Sequence, residues 1–390
     1  MSLTPAVVVP APAKLNLGLE VLNRRADGYH NLATIFLTVS LFDEVAVASV
    51  PGIAASSPDV GVPPWENLTM RAAQAMQAAF PGRGADITLT KRIPVAAGLG
   101  GASSDAAGTL LALRELWQTS QTLAELAALA ALLGSDVPFL VTGGCALGSG
   151  RGEVLEALPL PGESDPHTER NPHPNPSPFA KGEGLPPGGD AATGQDSQIE
   201  PPPTSPLALR KGRGAGGEGL SEATTAASES PSPAHRERGW GEGFAVGNEA
   251  ALTILIVAPR VVIPRKTPSL FAALQPGDFS DGASVAAQSA RLRAGQPLDP
   301  TLLGNAFQRA LYDLRPDVKE IAAAISEAGA QHVALSGAGP AHYALFTNPA
   351  EARGVERRLT ATLGDRADCF VVVPVPARPE FPPSDGVTQP

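Results

Sequence analysis

The chain has 390 residues, room for two or three domains and a full hydrophobic core, which excludes a peptide or a minimal binding module. Its 29 Lys and Arg against 39 Asp and Glu leave a net charge of −10, so neither nucleic acid nor an anionic membrane surface is expected as a partner, and any phosphate site has to be assembled locally. Cys145 and Cys369 are too few for a disulfide framework and wrongly spaced for a zinc site. The N-terminus lacks the basic start and long apolar run of a signal peptide, and no apolar run approaches a bilayer span, so a cytoplasmic protein without a membrane partner is expected.

In chain order, alternating apolar residues predict strands over residues 6–9, 34–41 and 44–50, and helical spacing predicts a helix over 68–79. A strand is expected over 86–91 (DITLTK), then a glycine-rich loop, then a helix reaching Trp117. Another helix is expected over 123–133, stopped by Gly134. Residues 163–247 change character: 13 Pro and 14 Gly accompany only nine residues drawn from Leu, Ile, Val, Met, Phe, Tyr and Trp. That composition buries too little apolar surface to offset chain entropy, so a disordered low-complexity insertion is expected. Beyond it the pattern predicts a strand over 252–258, a helix over 317–328, and strands over 332–335 and 342–346 on either side of the turn SGAGP. The whole reads as an α+β chain with domains at 1–162 and 248–378 and a disordered tail at 379–390.

Three stretches carry chemistry. The loop PVAAGLGGASS consists of Pro94, Val95, Ala96, Ala97, Gly98, Leu99, Gly100, Gly101, Ala102, Ser103 and Ser104. Its glycines allow backbone N–H groups to approach a ligand closely, and it opens a helix whose N-terminal dipole favours phosphate. No Lys follows the last glycine, so it is not a Walker A loop. Ser103 or Ser104 is expected to cap the helix, with the Ser104 hydroxyl as the candidate protein ligand of a metal ion bound with the phosphates. In RRADGYHNL, Asp27 and Gly28 make a turn that presents Tyr29 and His30, two rings suited to stacking on a base and hydrogen-bonding its edge. Lys14 and Asn16, two residues apart in PAKLNL, share one face of an extended chain.

Read together, PAKLNLGLEVLNRRADGYHNL (12–32), ENLTMRAA (66–73), KRIPVAAGLGGASSDAA (91–107), LGSDVPFLVTGG (133–144), GSGRGE (148–153) and LSGAGP (335–340) resemble the GHMP kinase superfamily. The resemblance implies a two-domain fold, with a ribosomal protein S5 domain 2-like N-terminal domain and a ferredoxin-like C-terminal domain. It also implies ATP and Mg2+ as cofactors, and within the superfamily it is to the branch acting on the 2-hydroxyl of 4-diphosphocytidyl-2-C-methyl-D-erythritol on the non-mevalonate route to isoprenoid precursors. Lys14 and Asp136 match the catalytic pair, the first attracting the transferring phosphoryl oxygens and the second orienting or accepting the hydroxyl proton. Residues 94–104 correspond to the nucleotide loop, and Asn16, Tyr29 and His30 to substrate contacts. Asn305 precedes Ala306 where the family usually has an acidic residue, so no role is carried to it. Two alternatives stay open at this level: a kinase of another small alcohol, homoserine-like or mevalonate-like, and a nucleotide-binding chain without catalysis. The oligomeric state is left undetermined.

Overall fold

A single strand, β1 (Val7–Arg24), runs from the N-terminal side to a turn over residues 25–29, where its antiparallel partner β2 (His30–Ala48) begins. The computed structural model describes residues 7–56, 67–163 and 252–380, all within one compact unit. The expected insertion beyond Glu163 and residues 381–390 of the expected tail lie outside the described residues.

The strands expected at 34–41 and 44–50 are one strand. Asp43, in the gap between them, is buried in β2, where Lys91 and two backbone N–H groups satisfy its carboxylate. Pro10 and Pro12 are tolerated because β2 is the sheet partner of β1, which leaves the outer edge of β1 outside the ladder. A register shift between Pro12 and Ala13 changes what the strand packs against. Val9 and Ala11 ahead of it join a helical core, whereas Ala13, Leu15 and Leu17 beyond it join a second core.

The first sheet is completed by β3 (Ile53–Ser56), β4 (Ala85–Thr90), β5 (Cys145–Ser149) and β6 (Val154–Leu158), in the order β3-β4-β2-β5-β6. Four helices cover it: α1 (Leu68–Ala79), α2 (Gly101–Trp117), α3 (Leu123–Ala130) and α4 (Val137–Thr142). Helix α1 starts where the Asn67 side chain accepts the Thr69 N–H, and it buries Thr69, Ala72, Ala73 and Met76 at three- and four-residue spacing. Helix α3 opens with a capping box between Thr122 and Glu125. It ends at Ala130, earlier than expected; residues 131–133 form turns, and Gly134 is not the residue that stops it.

The second sheet contains β7 (Thr253–Pro259), β8 (Ala334–Leu335), β9 (His342–Phe346) and β10 (Ala367–Val372) in the order β10-β7-β9-β8, every pair antiparallel. That is the 4-1-3-2 arrangement of a ferredoxin-like domain. Between β7 and β8 lie α5 (Lys266–Ala272), α6 (Ala283–Arg293), α7 (Gln308–Leu314) and α8 (Pro316–Glu327), and α9 (Pro349–Leu363) joins β9 to β10. Of these helices only α8 was expected; the strand expected at 332–335 shrinks to two residues. Strand β7 is buried on both faces: Ile254 and Ile256 belong to the same core as Leu15, Leu17, Ile35 and Leu37, while Leu255 and Val257 belong to a core with Ile321 and Ile325 of α8 and Val355 and Leu359 of α9. Each such side chain contributes about 1.5–3 kcal/mol on burial, so the shared core binds the two sheets strongly. After β10 the chain returns to the first sheet, where the Val375 N–H donates to Thr38 and Arg378 reaches the Pro10 carbonyl. Among the described residues, no helix is long and apolar enough to cross a membrane.

Candidate active site

The free edge of β1 is where the site is assembled. The Lys14 N–H donates to the Leu99 carbonyl at 2.9 Å, which lays the glycine loop along the strand. The Lys14 side chain, only 5% exposed, crosses Gly100 so closely that a Cβ there would come within 2.8 Å of Cγ. Its Nζ donates to Asn16 Oδ1 at 2.6 Å, lies 3.4 Å from Asp136 Oδ2 and sits 5.5 Å from the centroid of the Phe36 ring. Asn16 is oriented in turn, since its Nδ2 donates to Thr34, whose hydroxyl donates to the Gly18 carbonyl. Asp136 stands at the N-terminal boundary of α4 but makes no capping bond, so its carboxylate, 31% exposed, stays directed at Lys14.

The glycine loop is held at its base by a buried ionic cluster. Lys91 donates to Asp43 and, at 2.6 Å, to Asp105, while Asp43 accepts the N–H groups of Arg92 and Ile93. Burial pushes the Asp105 carboxyl up to about 7, against the pull of Lys91. The loop then enters α2 through Gly100, whose φ of 74° lies in the left-handed region, and no side chain caps the helix. The expectation that Ser103 or Ser104 would do so is corrected: Ser104 is 1% exposed and its hydroxyl donates to the Pro12 carbonyl, which ties α2 to β1. The first-turn N–H groups of α2 are thereby left without a side-chain acceptor.

A second loop, residues 335–340, closes over the first. The Ala341 N–H donates to the Ala97 carbonyl at 2.9 Å and the Ser336 hydroxyl to the Gly98 carbonyl at 3.2 Å. Gly337 approaches the Lys14–Asn16 pair so closely that a Cβ would lie 3.0 Å from Asn16 Oδ1 and 3.2 Å from Lys14 Nζ. Asn305, given no role from sequence, fastens this loop: its Nδ2 donates to the carbonyls of Leu335 and Gly337, and its Oδ1 accepts the Phe307 N–H.

The other end of the hairpin is aromatic. Asp27 accepts the Tyr29 N–H across the turn, His30 stacks on Phe271 with centroids 4.7 Å apart and planes at 15°, and Phe279 lies 6.1 Å away. Tyr29 is 56% exposed, with the Arg151 guanidinium 5.0 Å over its ring. Burial, and secondarily the Arg24 charge, lower the His30 pKa. His30 precedes Phe36 by six residues on β2, so the aromatic end lies roughly 20 Å along the strand from the Lys14–Asp136 end. Sequence reasoning did not find Phe271 or Lys266; both stand in a stretch, KTPSLFA, without the apolar periodicity that marks a helix face.

A glycine loop running into a helix and a Lys–Asp pair under a second glycine turn bring together the motifs by which the sequence resembles the GHMP kinases. Family profiles agree: GHMP kinases N terminal domain matches residues 67–144 and GHMP kinases C terminal matches 271–365. This chain resembles the GHMP kinases over those two stretches. It is similar to the 4-diphosphocytidyl-2-C-methyl-D-erythritol kinases of Moorella thermoacetica (48% identical over 155 residues, 39% of this chain and 54% of that protein) and Streptomyces coelicolor (47% over 165 residues, 40% and 55%). The chain thus spans about half the length of the curated relatives it matches. Among solved structures, a 4-(cytidine 5'-diphospho)-2C-methyl-D-erythritol kinase superposes with a TM-score of 0.62 at 28% identity, covering 94% of this chain and 99% of that one. The homoserine kinase of Cytophaga hutchinsonii, at 16% identity and a TM-score of 0.56 over 97% and 96% of the two chains, shares the fold.

Proposed function

We propose that this chain transfers the γ-phosphoryl group of ATP to the 2-hydroxyl of 4-diphosphocytidyl-2-C-methyl-D-erythritol, the kinase step of the non-mevalonate route to isoprenoid precursors. The observation that carries this reading is the pairing, on one hairpin, of the Lys14–Asp136 pair with a distant stack of His30 on Phe271. An acceptor that carries its base at one end and its hydroxyl at the other, joined by a diphosphate, suits a site with those two ends. The names of the similar proteins support the same substrate.

Phosphoryl transfer asks the protein for alignment and charge compensation more than for covalent chemistry. In this reading Asp136, beside Lys14 and free of capping duty, takes or orients the proton of the attacking hydroxyl. Lys14 faces the oxygens of the group in flight, held in place by Asn16. The N–H groups of residues 98–103 cradle the nucleotide phosphates, and His30, Phe271 and Tyr29 receive the base. Among the described residues no group of three or more His, Cys, Asp or Glu could hold a metal ion. That fits Mg2+ bound chiefly through phosphate and water, which neutralises phosphate charge, with Asp136 as the carboxylate open to it.

The test is ADP release with ATP and Mg2+, offering the cytidyl substrate, homoserine and mevalonate in parallel, with CMP as competitor. Turnover of the cytidyl substrate, inhibited by CMP, is expected. Turnover of homoserine or mevalonate instead, or none at all by protein that still binds ATP, would refute the assignment.

A further inference from the structure

Lys266 reaches from the start of α5 to the place where the two glycine turns meet. Its Nζ donates to the Ala96 carbonyl of the nucleotide loop at 2.6 Å and also to the Gly339 carbonyl of the 335–340 loop. Ala96 is a non-glycine residue in the left-handed region, with a φ of 57°, a conformation that needs support from outside the loop. The ammonium forms no ion pair with a carboxylate among those found in the described residues. Two of its three N–H donors therefore go to carbonyls, which do not cancel its charge, in a region where Lys14 is the neighbouring cation and Asp136 is paired with Lys14. A carboxylate partner would serve equally well as a tether but would repel phosphate; carbonyl partners give a tether that leaves the positive potential intact.

We propose that Lys266 is a positioning residue for the nucleotide phosphates: it clamps the Ala96 carbonyl to the second loop, so that the N–H groups that follow face the phosphates, and it adds an uncancelled positive charge behind them. The inference rests on the proposed ATP-dependent reaction but not on the identity of the acceptor. Burial, and secondarily repulsion from Lys14, bring the Lys266 pKa down to about 8, so the charged clamp is complete at pH 7 and weakens as pH rises through 8. Lys14 from β1 is the charged group facing it; the two loops contribute backbone.

The experiment measures affinity for a non-hydrolysable ATP analogue with Mg2+, and separately for CMP, in the full-length wild type, Lys266→Met and Lys266→Arg, with thermal unfolding of each. Lys266→Met is expected to weaken the analogue about tenfold, equivalent to about 1.4 kcal/mol, while leaving CMP affinity within about twofold. Lys266→Arg, which keeps the charge and can bridge two carbonyls, should recover most of the loss. Wild-type affinity for the analogue should fall between pH 7 and 9.5, and that fall should be absent in Lys266→Arg. An unchanged analogue affinity in Lys266→Met would overturn the proposal, as would equal weakening of both ligands with a lowered Tm, the mark of a purely structural tether, or no recovery in Lys266→Arg. A wild type that binds the analogue but does not phosphorylate the cytidyl substrate would sink the acceptor assignment and leave this inference standing.

Discussion

Replacing Gly98 by Ala tests whether the two glycine turns form one rigid unit. Gly98 has a φ of 88°, and a Cβ built on it would lie 2.5 Å from the Ser336 carbonyl oxygen, 2.8 Å from that of Gly339 and 3.0 Å from the Gly339 nitrogen. All three neighbours are backbone, so no side chain can rotate away, and the overlap of about 0.9 Å with Ser336 is relieved only if the loops separate. A left-handed alanine costs about 1–2 kcal/mol by itself. Separation also strains the Ala341–Ala97 and Ser336–Gly98 hydrogen bonds, worth about 1 kcal/mol each. The expected loss is therefore about 3–4 kcal/mol. Gly28 is the internal control: its φ is 85°, and nothing lies within 4 Å of its Cβ position, so Gly28→Ala should cost the conformational part alone, about 1–2 kcal/mol. Urea unfolding of the two variants measures the difference directly, and ATP-analogue binding should be lost only in Gly98→Ala. If the two variants lose equal stability, or if Gly98→Ala binds nucleotide as the wild type does, the loops are not packed as a unit and the reasoning fails.

Asp136→Asn should lower kcat by about 10²–10⁴-fold with both KM values within a fewfold of wild type, because the amide keeps the shape but cannot take a proton; steady-state kinetics showing near-normal kcat would remove Asp136 from the chemistry. Phe271→Ala removes the ring on which His30 stacks and should weaken CMP binding about two- to tenfold, the range of an aromatic pair, with ATP-analogue affinity unchanged; calorimetry showing equal CMP affinity would place the base elsewhere. His342 is buried against Tyr312, and burial lowers its pKa to about 4. The folded chain therefore takes up no proton here between pH 6.5 and 4 while the unfolded chain does, so stability is complete above pH 6.5 and falls by up to about 3 kcal/mol as pH drops to 4. Denaturant unfolding at pH 7.5, 6 and 5 should show a shallower decline in His342→Gln than in the wild type, and parallel declines would assign the acid sensitivity to other groups.

Helix α1, strand β9 and the order strand, glycine loop, helix were legible because they rest on local signals: the Asn67 cap, a short aromatic and apolar run in His342–Phe346 after the turn SGAGP, and glycine before a run of Ala and Leu. The Lys14–Asp136 pair was legible only through the resemblance, since 122 positions separate the two residues and no local rule joins them. Other local signals misled. Serines ahead of an apolar run read as caps, although the Pro12 carbonyl claims the Ser104 hydroxyl from elsewhere in the fold, and the gap at 42–43 read as a break, although Lys91 holds Asp43 within one strand.

The sequence by itself determined the glycine loop ahead of its helix and the turn that presents Tyr29 and His30, because composition and short motifs act through a residue's nearest neighbours. The tertiary structure alone decided what holds those residues at working distance: Asn305 on the 335–340 loop, Phe271 under His30, and Lys266 across two carbonyls. Each of these contacts joins segments far apart in the chain, with donors and rings that suit many partners. Only the packing of the second sheet against the first selects which partner each one meets.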